Sequence, residues 1–370
     1  MAQPQAISSR LLQSLDKAIA AAPSQPQAAG LRAQRAVLQA RHGQLETARE
    51  ELTALHQLAF QHPNPRLGAW LHLAEGLMNY FTDFSGGAYE KLLRARAIAH
   101  QAGLREVEAL AAAWLAHLAY VRHDIEALIE QALACRALAA PEQHGAHSRL
   151  AIALGLAHHF ASRPELAQRW YQQARQHAMA EGDDATQSAL MYNMAEMRAA
   201  YVRRESLSHP ERARPELLLS ADSVAHYDAA VGGSAMGELT PILRAQILTV
   251  LGEYAQARDL YEQHLPQAIS RGLARLGSSL LADLAWCRVN IGQREQALEQ
   301  ARESELELDP ACDVDDRAAT HSRLAQVYQA LGDADGAARH AALAAEEWAE
   351  LERQQQRWVD ALARAGLAQP

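Results

Sequence analysis

The stretch LAQVYQALGDADGAARHAALA, Leu324–Ala344, decides the fold. Ala325, Tyr328, Gly332, Ala337, Ala341 and Ala344 stand at steps of +3, +4, +5, +4 and +3. That spacing is a helical stripe, a break at the glycine, and a second helical stripe. The same ladder fits Ala285, Arg288, Gly292, Ala297, Ala301 and Ser304. It fits Ala245, Leu248, Gly252, Ala257, Tyr261 and His264, and also Gly155, His158, Ser162, Ala167, Tyr171 and Ala174. Looser copies anchor at Ala116, Gly76 and Ala36.

Each slot has a physical reason. The first residue is small because two helices of one repeat cross there. The Gly or polar slot ends the first helix (helix A), where a left-handed residue is easily accommodated. The alanine five residues later lets the second helix (helix B) approach closely. The anchors fall at 36, 76, 116 and 155, then 245, 285 and 325, a period of about 40 with one step of 90. The long step predicts a diverged fifth repeat anchored near Ala195, with about ten extra residues.

The ladder in Leu324–Ala344, and in ILTVLGEYAQARDLYEQHL from Ile247, resembles the tetratricopeptide repeat. That repeat usually runs to about 34 residues. The longer period is similar to the long-helix branch found in MalT-like and bacterial peptide-sensing regulators. The resemblance implies an all-α, right-handed superhelical solenoid of about eight helix-turn-helix units with terminal capping helices. The expected organisation is an N-terminal helix (about 7–21) and hinge over 1–30, with Pro23–Gly30 as the turn. A solenoid follows over 31–348, with an irregular fifth repeat at about 184–237. A capping helix and tail occupy 349–370. Trp348 and Trp358 are expected to cover the open end of the last repeat, since a terminal repeat must hide its face. One continuous core would make the solenoid a single domain.

Composition agrees with this reading. Of 370 residues, 49% are hydrophobic and 21% charged, so a large core is available. Ala, Leu, Gln, Glu and Arg dominate, and strand-favouring residues are sparse. The net charge of −9 disfavours a nucleic-acid module, which needs a basic stripe. The three cysteines, Cys135, Cys287 and Cys312, are far apart and form no CxxC, which points to a reducing compartment. No signal peptide and no membrane-length apolar run are recognisable, so a cytoplasmic location is expected.

The resemblance also places a groove. In the family, groove-facing residues lie six and three before the small anchor and one, four and five after it. Carried over, these slots hold Trp70, Leu73, Leu77, Tyr80 and Phe81 in the second repeat, and Leu110, His117 and Tyr120 in the third. They hold Arg149, His159 and Phe160 in the fourth, Tyr192 and Glu196 in the fifth, and Trp286 and Asn290 in the seventh. In a chain with only 5% aromatics this face is enriched in them. Aromatic side chains dominate interface hot spots. His117, His159, Arg149 and Glu196 add polar handles, suited to an amphipathic helix or an extended peptide. The same aromatics are also placed to pack against the neighbouring A helix.

A second candidate is the insertion from Arg203 to Pro215, where Arg203, Arg204, Arg212 and Arg214 could dock an acidic partner. The alternative is a solvated connection. The glycine-rich stretch Val231–Gly237 lacks the setting of a phosphate loop and reads as a hinge. The slots that hold Lys and Asn in chaperone-binding domains of this family are apolar or aromatic here. His144 and His147 form an HxxH without a convincing third ligand, so no metal and no cofactor are expected. No nucleophile–base constellation is present, so catalysis is not expected.

The expected function is a protein- or peptide-binding scaffold or adaptor in bacterial regulation or signalling. The alternative is a sensor for a small molecule or short peptide that controls a separate effector, because no fused effector domain is recognisable. Terminal helices could support an oligomer.

Overall fold

The computed structural model describes residues 9–83, 87–208, 240–270 and 277–370. Among these the chain forms sixteen helices and no strand. They are α1 (Arg10–Ala20), α2 (Gln25–Arg41), α3 (Leu45–Gln61), α4 (Pro65–Asp83), α5 (Gly87–Gln101), α6 (Arg105–Val121), α7 (Ile125–Leu138) and α8 (His144–Phe160). There follow α9 (Pro164–Glu181), α10 (Asp184–Ser208), α11 (Thr240–Leu251), α12 (Tyr254–Ser270), α13 (Gly277–Asn290), α14 (Arg294–Leu306), α15 (Val314–Leu331) and α16 (Ala334–Arg364).

Neighbouring helices pair as the ladder requires: α2 with α3, α4 with α5, α6 with α7, α8 with α9, α11 with α12, and α13 with α14. A helices also touch the next A helix, as α2 with α4, α6 with α8 and α13 with α15. This is a tetratricopeptide-like helical repeat. The small slot behaves as its chemistry demands. A Cβ on Gly155 would lie 2.6 Å from the Tyr171 ring of the partner helix, so nothing larger than glycine fits there. The slot seven residues after the anchor is left-handed in six repeats, while in the fifth it falls at Val202 inside α10. Gly252, Gly292 and Gly332 have φ of 81°, 84° and 86°, and Ser162 has 55°. Gly43 and His123 occupy the same register at 80° and 54°.

Contacts divide the chain into two compact bodies. The first holds described residues 9–190 and 356–370, and the second holds 191–208, 240–270 and 277–355. In the first body a core cluster runs from Ala29 to Leu118, built on Leu55, Leu73, Leu92 and Leu115. In the second, Ala195, Ala199 and Val202 of α10 pack with Leu243 and Ile247 of α11. Tyr261, Leu265 and Leu284 centre another cluster.

Three local expectations need correction. Residues 25–30 are the first turns of α2, not a hinge: Ser24 accepts a hydrogen bond from Gln27 N (3.4 Å), and Pro26 sits in the first turn. Proline is tolerated there because that N–H has no intrahelical acceptor. The capping helix is not separate from the last repeat. From Ala337 to Ala365 there is no Gly or Pro to stop it, and α16 runs unbroken for 31 residues. Trp358 does not cover the last repeat; it belongs to the first body and packs on Tyr120, His123 and Phe160. Trp348 does stay on the last pair, donating from Nε1 to Ser322 Oγ (3.0 Å).

Candidate binding face

In the first body the A helices bring predicted residues together. Tyr80 and Phe81 near the end of α4 meet Trp114 and His117 of α6, with ring centroids 5.3–5.9 Å apart in edge-on arrangements. Such geometry sets a positive ring edge against a negative ring face. The Tyr80 hydroxyl is hydrogen-bonded to His117 Nε2 (2.9 Å). Burial, and then the Arg149 charge, hold His117 well below its ordinary pKa, so its imidazole is neutral. Arg149 of α8 stacks its guanidinium on the Trp114 ring, 3.6 Å from the centroid.

Beside this cluster lies a pocket of about 640 Å³, counted with its solvent-open mouth. Trp70, Leu73, Leu77, Leu110 and Arg149 line it, all at slots carried over from the repeat. Trp114 also lines it and was missed, because it stands two residues before its anchor rather than at a carried-over slot. Leu11 and Leu15 of α1 close one side. Helix α1 is held there by Leu11 N donating to Gly182 O (3.2 Å) and by an Arg10–Asp184 ion pair (3.3 Å). Trp70 is flush with α2: a Cβ on Gly30 would approach its Cδ1 to 2.9 Å. At the polar end Arg41 donates to Asp183 (2.8 Å) and Thr186 (2.5 Å), and the Asp183 carboxyl is held below its usual range. Burial and Asp183 push the Glu181 carboxyl up to about 7.

Tyr120 and Phe160, also predicted, are taken up by the chain's own C-terminal segment. Trp358 lies 4.8 Å from the Phe160 ring and 6.1 Å from Tyr120, and is 1% exposed. His158 donates to the Leu367 carbonyl (2.8 Å), and Leu362 and Leu367 are buried. His159 is half-buried, and burial lowers its pKa.

The remaining predicted residues lie in the second body, which is described by itself. Tyr192 is buried, and the Glu196 carboxyl is pushed up to about 7 by burial and by Asp315. Trp286 faces Tyr254 edge-on (6.4 Å), with the Arg323 guanidinium 5.4 Å from its ring. Asn290 donates from its side chain to the Trp286 carbonyl (2.8 Å), capping its own helix.

Arg203 and Arg204 are corrected: both lie within α10, not in a loop. Arg203 is buried and paired with Asp283 (2.7 Å), which also accepts from Arg323 (2.8 Å). An arginine so committed is not available to an acidic partner. Arg204 lies over the Trp348 ring (4.9 Å). Arg212, Arg214 and the stretch Val231–Gly237 lie outside the described residues.

His144 and His147 meet His177, with His144 Nδ1 3.0 Å from His177 Nδ1 and His147 stacked on it at 4.9 Å. No group of three ligands able to hold a metal ion occurs among the described residues. Cys135 is buried, which pushes its thiol up to about 12 and removes nucleophilic character. No described helix is long and apolar enough to cross a membrane.

No family model matches the sequence, and no curated protein matches it. Among solved structures, the chain is similar to a Rap protein whose crystal structure was determined in complex with Competence and Sporulation Factor. Identity is 13% and the TM-score 0.54, over 93% of this chain and 98% of that one. At that identity the likeness is one of fold, and it supports a tetratricopeptide-like helical repeat over nearly the whole chain.

Proposed function

We propose that the chain is a helical-repeat scaffold of the long-helix, MalT-like kind that binds a protein or peptide on the A-helix face of its first body, in cytoplasmic bacterial regulation or signalling. The observation that carries this is the pocket beside the Tyr80–Phe81–Trp114–His117 cluster. Its walls are largely apolar and aromatic, and on them the Arg149 guanidinium has no carboxylate partner among the described residues. Such walls with few polar anchors are the common form of a binding site. The Rap protein's complex with Competence and Sporulation Factor adds support by analogy of fold. Affinity capture with wild type and with Leu11→Ala/Arg149→Ala, at two residues that line the pocket, tests the reading. Loss of captured partners, with far-ultraviolet circular dichroism unchanged, is expected. Identical partners in identical amounts would overturn the groove assignment.

A small-molecule sensor is the second reading. The pocket's apolar lining with a few convergent polar groups favours it, since that is the usual make-up of a small-molecule site. Native mass spectrometry of the purified chain separates the two: a retained mass of a few hundred daltons supports the sensor.

A further inference from the structure

Buried arginines in this fold come with acceptors. Arg203 and Arg323 share Asp283 at 2.7 and 2.8 Å. Arg41 has Asp183 and Thr186. Arg149 is the exception. It is 8% exposed and lines the pocket, yet among the described residues it makes no hydrogen bond and no ion pair. One face of its guanidinium is covered by Trp114, which leaves the in-plane N–H donors unused. A buried charge without an acceptor is costly. Burial draws the Arg149 pKa down to about 9, so the group is still cationic at neutral pH.

No resident group is placed to serve it. Asp183 is committed to Arg41 and Thr186. His117 is neutral and bonded to Tyr80. Glu181 lines the same pocket but has no hydrogen bond or ion pair among the described residues. The acceptor for Arg149 is therefore the water of the open pocket or a ligand that displaces it.

We infer that this pocket binds a carboxylate carried on an apolar body, with the planar carboxylate on the Arg149 fork and the apolar part against Leu73, Leu77 and Trp70. A guanidinium matches a carboxylate bidentately. A phosphate dianion would bring more charge than one cation offsets, in the presence of Glu181 and Asp183. The carboxylate can belong to a small organic acid or to a peptide terminus. The site does not depend on the protein-binding reading above, because the capture experiment can fail while the carboxylate still binds.

The test is calorimetric titration of the full chain with hexanoate and with hexanamide, its neutral isostere. A pentaleucine peptide with a free or an amidated C-terminus is titrated alongside. At least one acid binds about tenfold or more tightly than its amide, as a charge-assisted pair requires. Preference for hexanoate assigns a small acid; preference confined to the free-acid peptide assigns a peptide terminus. Arg149→Met lowers acid affinity to the level of the amide, and Arg149→Lys retains part of it. Equal affinity for acid and amide, or binding of neither acid, overturns the inference. So does unchanged acid binding by an Arg149→Met chain that unfolds at the wild-type temperature. The acid–amide comparison uses wild type alone, so a variant that fails to fold does not blunt the test.

Discussion

Asp283→Asn removes the charge that two buried guanidiniums share. The wild-type carboxylate is 0% exposed and accepts from Arg203 Nε at 2.7 Å and Arg323 Nε at 2.8 Å. Arg203 also donates to Ser279 O and Oγ (3.2 and 2.8 Å), and Arg323 to Gln326 (2.7 Å), so neither arginine can swing out without breaking further bonds. Two charge-assisted hydrogen bonds at roughly 1.5–3 kcal/mol each give about 3–6 kcal/mol. Breaking a buried pair from one side typically costs about 3–5 kcal/mol. The two figures agree, so we expect a loss of about 3–5 kcal/mol. For a body of this size each kcal/mol lowers the melting temperature by about 2–4 °C, a fall of roughly 6–20 °C.

The assay is thermal and urea unfolding followed by circular dichroism. Fluorescence adds a local probe, since Trp286 lies 5.4 Å from the Arg323 guanidinium. The sign with pH is determined too. The two arginines hold the folded Asp283 carboxyl below its usual range, so its contribution is present above the unfolded value and lost as pH falls through the folded one. Asp283→Asn therefore flattens the acid side of the stability profile. The triple variant Arg203→Met/Asp283→Leu/Arg323→Met, which removes all three charges of this cluster, recovers most of the loss. A loss below about 1 kcal/mol for Asp283→Asn would refute the assignment, because a surface pair contributes no more than that.

Three further outcomes are expected. Trp358→Ala, at a side chain 1% exposed on Phe160 and Tyr120, destabilises the first body by about 3–5 kcal/mol, seen as an early transition in urea. Ser162→Gly relieves a left-handed residue at φ 55° and raises stability by about 0.5–1 kcal/mol, net of the added freedom of the unfolded chain; an unchanged melting temperature would count against strain at that slot. Burial and Asp315 raise the folded Glu196 carboxyl to about 7, so its contribution is full below the unfolded value and declines as pH rises through 7. Glu196→Gln should make stability less dependent on pH between about 4.3 and 7, measured by melting in buffers across that window.

The repeat was legible because each slot answers to a local constraint. A residue that ends a helix in a left-handed turn, or lets two helices touch, is chosen by its own backbone and its nearest neighbour. Gly155 against Tyr171 and the glycine slot at 252, 292 and 332 show this. Part of the pocket was legible for the same reason: Trp70, Leu73, Leu77, Leu110 and Arg149 sit at fixed offsets from their anchors. Trp114 escaped because slots transferred from a shorter repeat do not follow the drift of a longer helix. The first turns of α2 and the unbroken α16 were misplaced because proline and composition admit more than one local outcome.

By itself, then, the order of residues determined an all-helical chain, the register of its repeats and the face on which its aromatics gather. Those properties depend on residues a few positions apart. Only the tertiary structure decided which buried charge has a partner. Arg203 finds Asp283 eighty positions away, Trp358 finds Phe160 nearly two hundred positions away, and Arg149 finds an aromatic ring but no acceptor among the described residues. Pairing of charges and seating of a terminal segment depend on distances set by the packing of many helices, which no spacing within one repeat encodes.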